Sequence, residues 1–247
     1  MDRYGLIGFP LEHSFSKDYF NNKFAAEGID AEYINFEITS ITELKSIIKN
    51  DSNLKGLNVT IPYKEQVIPY LDKLSENAKL IGAVNVIRID RKKKKIKLTG
   101  FNSDIIGFKQ SIEPLLKPHH QRALVLGNGG AAKAIFYGLQ QLDIEATYVS
   151  REKTDEQMLL YSELNQGDME SHTIVVNCTP VGMWPNVDDC PAIPYQFLTD
   201  KHLLYDLLYN PDETLFMKKG AEQGAVVKNG LEMLLLQAFA GWNMWTQ

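Results

Sequence analysis

The sequence predicts an α/β fold organised as two domains with a cleft between them. Three observations support this prediction. The first hundred residues alternate strand-like and helix-like segments, and the residues after Pro118 contain a complete strand–turn–helix–strand unit. The length of 247 residues suffices for two modest domains or for one large α/β domain. A mainly parallel sheet is expected in the N-terminal domain, because strands that alternate with helices usually pair in parallel.

The first five elements follow from hydrophobic periodicity and from helix start and stop signals. Strands are predicted in RYGLIGF, AEYINFEI and LKGLNVTI, and helices in SKDYFNNKFAAEG and SITELKSIIKN. The first helix is expected to end at Gly28. Ser40 and Glu43 form a capping-box pattern at the start of the second helix.

The following segments lead to a domain boundary near residue 102. PYKEQVIPYL is predicted to be a helix, because Pro62 suits a first helical position. SENAKLIGAVNVIRI leads into a hairpin whose turn, residues 91–95, is a basic run interpreted as solvated. NSDIIGFKQSIEPLL is then predicted to be a helix that begins at Asn102 and Ser103 and ends before Pro118.

The second domain begins with RALVLGNGGAAKAIFYGLQQLDIEATYVSR, which places a buried strand, a glycine turn, a helix and a second strand within about 30 residues. HTIVVNCTP, HLLYDLLYN and GAVVKNG add further strands. Residues 1–102 are therefore assigned to the first domain and residues 103–230 to a second, Rossmann-type domain. The apolar helix within residues 231–247 is expected to pack back on the first half.

Composition excludes several classes of protein. The formal net charge of −5 argues against nucleic acid as a partner, because nucleic-acid binders usually carry a basic excess. No apolar run approaches the roughly 18 residues of a membrane span, and MDRYG does not resemble a signal peptide. Cys178 and Cys190 form neither a CxxC pair nor a disulfide framework. A cytoplasmic globular protein without a metal site is expected, as a monomer or a homodimer.

The glycine turn carries the clearest chemical signal. Gly127, Gly129 and Ala132 occupy the three small-residue positions of the dinucleotide fingerprint, and Gly130 adds room beside a helix N-terminus. The position of the turn between a buried strand and a helix strengthens the match. Dinucleotide binding is favoured over a purely structural glycine turn.

The end of the second strand of this unit indicates which dinucleotide is bound. Ser150 and Arg151 occupy the place where an acidic residue would select NAD. A guanidinium can pair with a 2′-phosphate, so NADP is favoured. Glu152 complicates this interpretation because it could neutralise Arg151 or reach a ribose, whereas Lys153 adds positive charge. NAD stays open as the alternative.

Polar residues recur at the predicted strand ends of the first domain. Asn58, Thr60 and Lys64 lie in NVTIPYK, Asn85 in GAVNV, and Asp104 in GFNSD, while HSFS follows the first strand. Each has an ordinary alternative, since exposed lysines are usually solvated and Asp or Ser commonly caps a helix. Together they suit a small, polyhydroxylated, anionic substrate bound at the edge of an α/β sheet.

The chain resembles the shikimate dehydrogenase family along nearly its whole length. The resemblance rests on eight motifs in the family's order: IGFPLEHSFS, LNVTIPYK, GAVNV, GFNSDIIGF, VLGNGGAAKAI, VNCTPVGM, YDLLYNP and GLEMLLLQAFAGW. It implies NADPH-dependent, reversible reduction of 3-dehydroshikimate to shikimate, in aromatic amino-acid biosynthesis. Two alternatives stay open: a quinate/shikimate dehydrogenase that uses NAD, and a catalytically silent ligand sensor.

The resemblance also implies roles for individual residues. Lys64 and Asp104 match the catalytic pair, and Ser14 and Ser16 match the serines that hold the substrate carboxylate. The other implied substrate-binding residues are Thr60, Asn85, Tyr209 and Gln237. The implied cofactor-binding residues are Gly127, Asn128, Gly129, Gly130, Ala131, Ser150, Arg151, Thr179, Gly230 and Met233.

Some positions depart from the family pattern. Lys17 follows Ser16 where proline is usual, and Ser103 stands where threonine is typical. Asn128 replaces the commoner alanine of the glycine turn, and Glu152 replaces Thr or Ser. None of these changes removes an implied catalytic group, but Glu152 weakens the prediction of NADP.

Overall fold

The computed structural model describes residues 1–11, 15–92 and 95–247. It has the predicted α/β class and contains two six-stranded sheets. The contacts divide the chain into two compact units. The first comprises Met1–Ser103 with Ala238–Gln247, and the second comprises Asp104–Gln237.

The sheet of the first unit is mixed but mainly parallel. Its strands are β1 (Asp2–Gly8), β2 (Ala31–Glu37), β3 (Leu54–Val59), β4 (Lys73–Leu74), β5 (Val86–Lys92) and β6 (Lys95–Phe101), in the order β2-β1-β3-β5-β6-β4. Pairs β1–β2, β1–β3 and β4–β6 are parallel, whereas β3–β5 and β5–β6 are antiparallel. The predicted hairpin is therefore β5–β6, and Lys93 and Lys94 lie outside the described residues.

Three α-helices accompany this sheet: α1 (Phe15–Glu27), α2 (Leu44–Asn50) and α3 (Glu76–Ile81). Helix α1 ends as predicted, because Gly28 adopts a φ of 65° that glycine tolerates best. The capping box is also present: the Ser40 hydroxyl accepts from the N–H of Thr42, and the Glu43 carboxylate accepts from the N–H of Ser40. It begins a short 3₁₀ turn that leads into α2.

Two helix predictions need correction. Pro62 does not begin an α-helix, since residues 61–67 form turns and only Ile68–Tyr70 forms a 3₁₀ helix. The helix predicted to run to Pro118 is shorter: α4 (Asp104–Ile112) gives way to a 3₁₀ helix at Glu113–Leu115. Pro114 explains the second difference, because proline has no N–H for the helical ladder and disfavours a helical residue before it.

The sheet of the second unit is wholly parallel. Its strands are β7 (Arg122–Leu126), β8 (Glu145–Ser150), β9 (Leu159–Leu160), β10 (Ile174–Asn177), β11 (Leu203–Asp206) and β12 (Val226–Lys228), in the order β12-β11-β10-β7-β8-β9. Chain order reverses between β7 and β10, which is the Rossmann arrangement. Ligands bind beyond the carboxyl ends of the strands at such a switch point.

The remaining helices are α5 (Gly130–Gln140), α6 (Gln166–Ser171), α7 (Leu215–Glu222) and α8 (Leu231–Thr246). Helix α8 contributes its first residues to the second unit and its residues from Ala238 onward to the first. In the first unit the Trp245 indole is buried and donates from Nε1 to the Ile87 carbonyl, 3.1 Å away. Gly56 permits this packing, because a Cβ there would lie 2.4 Å from the indole.

None of the helices in the described ranges combines the length and the apolar character needed to cross a membrane.

Candidate functional site

A buried hydrogen-bond network joins the candidate substrate residues of the first unit. Ser16, the second residue of α1, hydrogen-bonds to the Tyr33 hydroxyl. Tyr33 donates to Asn58 Oδ1 at 2.8 Å, and Asn58 Nδ2 donates to the Asn85 carbonyl at 3.2 Å. Burial raises the pKa of Tyr33, so this phenol remains a neutral donor. Ser14 lies outside the described residues.

The Asn85 side chain continues the network toward Ser103. Its Nδ2 donates to Ser103 Oγ at 3.0 Å, and its Oδ1 accepts from the Ser103 N–H at 2.7 Å. Both residues are buried, so these bonds supply partners to an amide whose burial would otherwise be costly. The network thus fixes the backbone immediately before Asp104.

Thr60 and Lys64 lie in the turn after β3. The Thr60 N–H donates to the Ile7 carbonyl at 3.0 Å, which ties this turn to the end of β1. The Lys64 carbonyl accepts from the Val84 N–H at 2.8 Å, so half-buried Lys64 lies beside the segment leading to Asn85. Residues 64–67 form turns, so the predicted helix is absent at Lys64, which follows the end of β3 by five residues.

The glycine turn of the second unit has room for a phosphate group. Gly127 adopts a φ of 103° and donates its N–H to the Val149 carbonyl at 2.8 Å. A Cβ at Gly129 would meet no atom within 4 Å, so the backbone is open to approach there. Helix α5 begins at the next residue, Gly130, and Asn128 and Ala131 flank this start. The N–H groups of a first helical turn have no intrahelical acceptors and favour an anion.

Arg151 is an exposed cation at the end of β8. In the described part of the chain no ion pair joins Arg151 to Glu152. Lys153 instead bonds to Glu163 at 2.8 Å, and the Glu152 N–H points to Ser150 Oγ at 3.5 Å. These features fit a dinucleotide with a 2′-phosphate, because an exposed guanidinium pairs well with a phosphate.

Asp104 is the first residue of α4, and it is buried. Helix α8 contacts this helix closely at Gly107, where a Cβ would lie 2.5 Å from the Met233 carbonyl and 3.0 Å from Gln237 Cβ. Met233 is buried and Gln237 is half-buried. The structure thus brings Met233 and Gln237 next to the helix that begins at Asp104.

Three further candidates lie on loops after β10, β11 and β12. Thr179 follows β10, half-buried Tyr209 follows β11, and Gly230 donates its N–H to the Leu208 carbonyl at 2.8 Å. Burial raises the pKa of the Tyr209 phenol, which keeps it protonated near neutrality. A Cβ at Gly230 would lie 2.1 Å from the Leu207 carbonyl oxygen, so only glycine fits there.

Two buried polar residues of the second unit, Asn177 and Asp206, were not predicted from the sequence. Each is the last residue of an otherwise apolar strand, which is the signal that could have identified them. Among the residues that the structure describes, no group of three or more His, Cys, Asp or Glu side chains is arranged to hold a metal ion.

Comparison with known proteins shows extensive similarity. Residues 6–87 match the family model described as the shikimate dehydrogenase substrate binding domain. A protein of Desulforamulus reducens named shikimate dehydrogenase (NADP(+)) is 35% identical over 265 residues, with 98% of this chain and 89% of the relative covered.

Solved structures show the same similarity. A crystal structure of shikimate dehydrogenase in complex with NADP+ has a TM-score of 0.86 and 31% identity, covering 100% of this chain and 90% of that chain. The enzyme of Thermus thermophilus in complex with NADP(H) and shikimate has a TM-score of 0.85 and 26% identity, covering 100% and 94% respectively.

Proposed function

Because the chain belongs to the shikimate dehydrogenase family, we propose that it catalyses the reversible, NADPH-dependent reduction of 3-dehydroshikimate to shikimate. The observation that carries this proposal is the similarity, over 98% of the chain, to relatives named shikimate dehydrogenase (NADP(+)). An open glycine turn before α5 and an exposed Arg151 in the second unit support it. The first unit would then be the substrate-binding domain.

NADPH, when bound, would supply the hydride for this reduction. The residues proposed to hold its pyrophosphate are Gly127, Asn128, Gly129, Gly130 and Ala131. Ser150 and Arg151 would bind the 2′-phosphate, Gly230 and Met233 would lie at the nicotinamide, and Thr179 would also contact the cofactor. This assignment uses the ends of β7, β8, β10 and β12, which share the carboxyl edge of one parallel sheet.

Two serines are proposed to hold the substrate carboxylate. Ser14 would donate its hydroxyl proton to the anion, and Ser16 would do the same once its hydroxyl turns from Tyr33 to the substrate, since charge-assisted hydrogen bonds are stronger than neutral ones. Thr60, Asn85, Tyr209 and Gln237 would bind the ring hydroxyls and the carboxylate. The network from Ser16 through Tyr33 and Asn58 supports this proposal, because it links Ser16 and Asn85 within one connected set of polar groups.

Lys64 and Asp104 are proposed as the catalytic pair. Lys64 would donate a proton to the oxygen of the carbonyl as it becomes a hydroxyl, and would accept that proton in the reverse reaction. Asp104 would hydrogen-bond the same substrate oxygen and orient the ammonium group. Proton transfer by a positioned side chain is typically worth about 10²–10⁴ in rate.

The alternatives are less well supported. A dehydrogenase that uses NAD would gain from an acidic residue at the end of β8, but Ser150 and Arg151 lie there. A silent sensor would not need the proposed proton donor Lys64.

We further propose that the protein is a cytoplasmic monomer or homodimer. Its two cysteines are free thiols, which suit a reducing compartment, and light scattering would determine the oligomeric state.

Nicotinamide absorbance tests the proposed function directly. The purified protein is mixed with shikimate or quinate and with NADP+ or NAD+, in all four combinations. We expect rapid reduction of NADP+ with shikimate and much slower reactions in the other three. A faster reaction with quinate and NAD+ would support the first alternative. No reaction in any combination, with shikimate binding retained in calorimetry, would support the sensor.

A further inference from the structure

A buried carboxylate lies at the centre of the polar groups beyond β10 and β11. Asp206 is fully buried, as are Asn177 and Thr214. Asp206 Oδ1 accepts from Asn177 Nδ2 and from the Leu208 N–H, both at 3.0 Å. Asp206 Oδ2 accepts from Thr214 Oγ1 at 2.6 Å. Three separate segments thus donate to one carboxylate.

The register of the sheet creates this arrangement. Asn177 and Asp206 are direct partners in the parallel pair β10–β11, so their side chains project from the same face at the carboxyl edge. Thr214 precedes α7 and caps it, accepting from the Met217 N–H at 3.3 Å. The carboxylate therefore links the last residue of a strand to the loop that follows and to the start of a helix.

Asn177 extends the link to the loop after β10. Its Oδ1 accepts from both the N–H and the hydroxyl of Thr179, at 3.0 and 2.6 Å. Its Nδ2 also donates to the Val181 carbonyl at 3.4 Å. Because Asp206 holds this amide from the other side, the amide has a single favourable orientation, with its oxygen toward Thr179.

The loop after β11 is held from both sides. The Leu208 N–H donates to Asp206, and the Leu208 carbonyl accepts from the Gly230 N–H at 2.8 Å. The backbone of Tyr209 follows directly. Asp206 thereby connects to Thr179 through Asn177. It connects to both Tyr209 and Gly230 through Leu208.

We propose that Asp206 is a positioning residue, whose buried carboxylate fixes the two loops that present Thr179 and Tyr209 to cofactor and substrate. This inference rests on the proposed function, which gives those two residues their roles. Without the carboxylate, the Asn177 amide and the Leu208 N–H lose a buried acceptor and both loops can shift. A displacement of about 1 Å far from the reacting atoms can cost about 100-fold in rate.

The test compares Asp206→Ala with Asp206→Asn and with Tyr205→Phe in the full-length protein. Tyr205→Phe is the matched control, because Tyr205 is the preceding residue of β11 and its buried hydroxyl bonds to Ser111 at 2.6 Å, away from both loops. Asparagine keeps an oxygen for Asn177 and Leu208, and its amide can donate to the Thr214 hydroxyl. It is therefore the conservative variant.

We expect Asp206→Ala to lower kcat/KM about 10- to 100-fold, with a raised KM for NADP+, at a temperature where the variant is fully folded. Asp206→Asn should restore most of that loss. Tyr205→Phe should lower Tm without changing the kinetic constants. Unchanged kinetic constants in folded Asp206→Ala, or equal kinetic losses in Tyr205→Phe, would overturn the proposal.

A second variant covers the case in which Asp206→Ala does not fold. Asn177→Ala removes the amide between Asp206 and Thr179, and it should raise the KM for NADP+ about tenfold, the cost of a lost hydrogen bond or two. An unchanged KM for NADP+ in Asn177→Ala would overturn the proposal. A wild-type protein without dehydrogenase activity would contradict the proposed function instead. In that case the NADP+ affinities of the wild type and the Asp206 variants, measured by calorimetry, would still test the positioning role of Asp206.

Discussion

At the scale of single residues, Asp206 shows how burial sets the chemistry of a carboxyl group. Desolvation raises the pKa of Asp206 to about 6, and the hydrogen bonds from Thr214, Leu208 and Asn177 only partly oppose it. The nearby Cys178 thiol and Tyr195 phenol remain neutral over the same range, because burial raises the pKa of each. Asp206 is thus the group in this cluster that titrates at acidic pH, and its pKa moves on folding from its ordinary value near 3.8 to about 6.

This raised pKa predicts a specific dependence of stability on pH. The folded state binds the Asp206 proton more tightly than the unfolded state, so its contribution to stability is present at low pH and is lost as pH rises through about 6. Relative to Asp206→Asn, the wild-type free energy of unfolding should rise by about 1 kcal/mol between about pH 7 and pH 5. Urea titrations of both proteins measure this difference, and parallel pH profiles would contradict it.

The proposed catalytic pair makes a second prediction at this scale. Lys64→Ala should lower kcat by about 10²–10⁴ with little change in the KM for NADP+, because the lysine acts on the substrate. Asp104→Asn should also lower kcat while α4 keeps its first turn. Steady-state kinetics of both variants and of the double variant measure the coupling.

If the two groups act as a unit, the double variant should lose far less than the product of the single losses. Lys79→Ala, at an exposed position on α3, is the control and should retain wild-type kcat. Multiplicative losses, or a normal kcat in Lys64→Ala, would reduce both residues to binding groups.

At the scale of elements, the sequence predicts regular segments well and turns less well. The unit β7–α5–β8 was predictable because its periodicity changes clearly from strand to helix to strand. The turn after Pro62 was not, because a proline suits both a first helical position and the second residue of many β-turns. Strand β9 has only two residues, so no periodicity could reveal it.

The same reasoning applies to the candidate site. Family motifs gave its residues by resemblance, but the link between Asn177 and Asp206 depends on the register of β10 against β11. Pairing of Lys153 with Glu163 depends likewise on how the segment after β8 folds back. Such contacts come from tertiary structure, which a single sequence does not contain.

The end of β8 makes a prediction about cofactor choice. Arg151→Ala should weaken NADP+ binding about 10- to 150-fold, the cost of a charge-assisted hydrogen bond, and leave NAD+ binding nearly unchanged. Lys153→Ala is the matched control, and its effect on NADP+ should be small because Lys153 bonds to Glu163. Calorimetric titration with each dinucleotide measures this. Equal losses for NADP+ and NAD+ would instead assign Arg151 to the fold.

The end of α8 makes a prediction about stability. Trp245→Phe should lower the free energy of unfolding by about 1–3 kcal/mol, because it removes a buried hydrogen bond and leaves a cavity. Trp242→Phe should cost less, since that indole is only half-buried. Chemical denaturation of the two variants gives the comparison. A larger loss in Trp242→Phe would mean that the hydrogen bond to Ile87 is unimportant.

At the scale of the whole molecule, the two units differ in how many segments of the chain form them. The second unit, Asp104–Gln237, is continuous and contains the complete parallel sheet. The first unit is discontinuous, because Ala238–Gln247 joins Met1–Ser103 and supplies Trp245 to its core. Covalent continuity therefore favours independent folding of the second unit.

A fragment of residues 104–237 should fold alone and bind NADP+. Thermal unfolding of this fragment should shift upward with NADP+, by the equivalent of about 2.7 kcal/mol at a concentration 100 times Kd. A fragment of residues 1–103 should not unfold cooperatively unless residues 238–247 are joined to it through a flexible linker. A cooperative transition in the unextended fragment would show that the last turns of α8 are dispensable.

The discontinuity of the first unit also has a consequence for synthesis on the ribosome. Domains commonly fold in the order in which they are translated, the N-terminal one first. Here Trp245 is translated after every residue of the second unit, so the core around Tyr4, Phe20 and Tyr33 lacks its indole until then. The N-terminal unit is therefore completed after the second unit, and the nascent first unit is the part of the chain that would benefit from a chaperone.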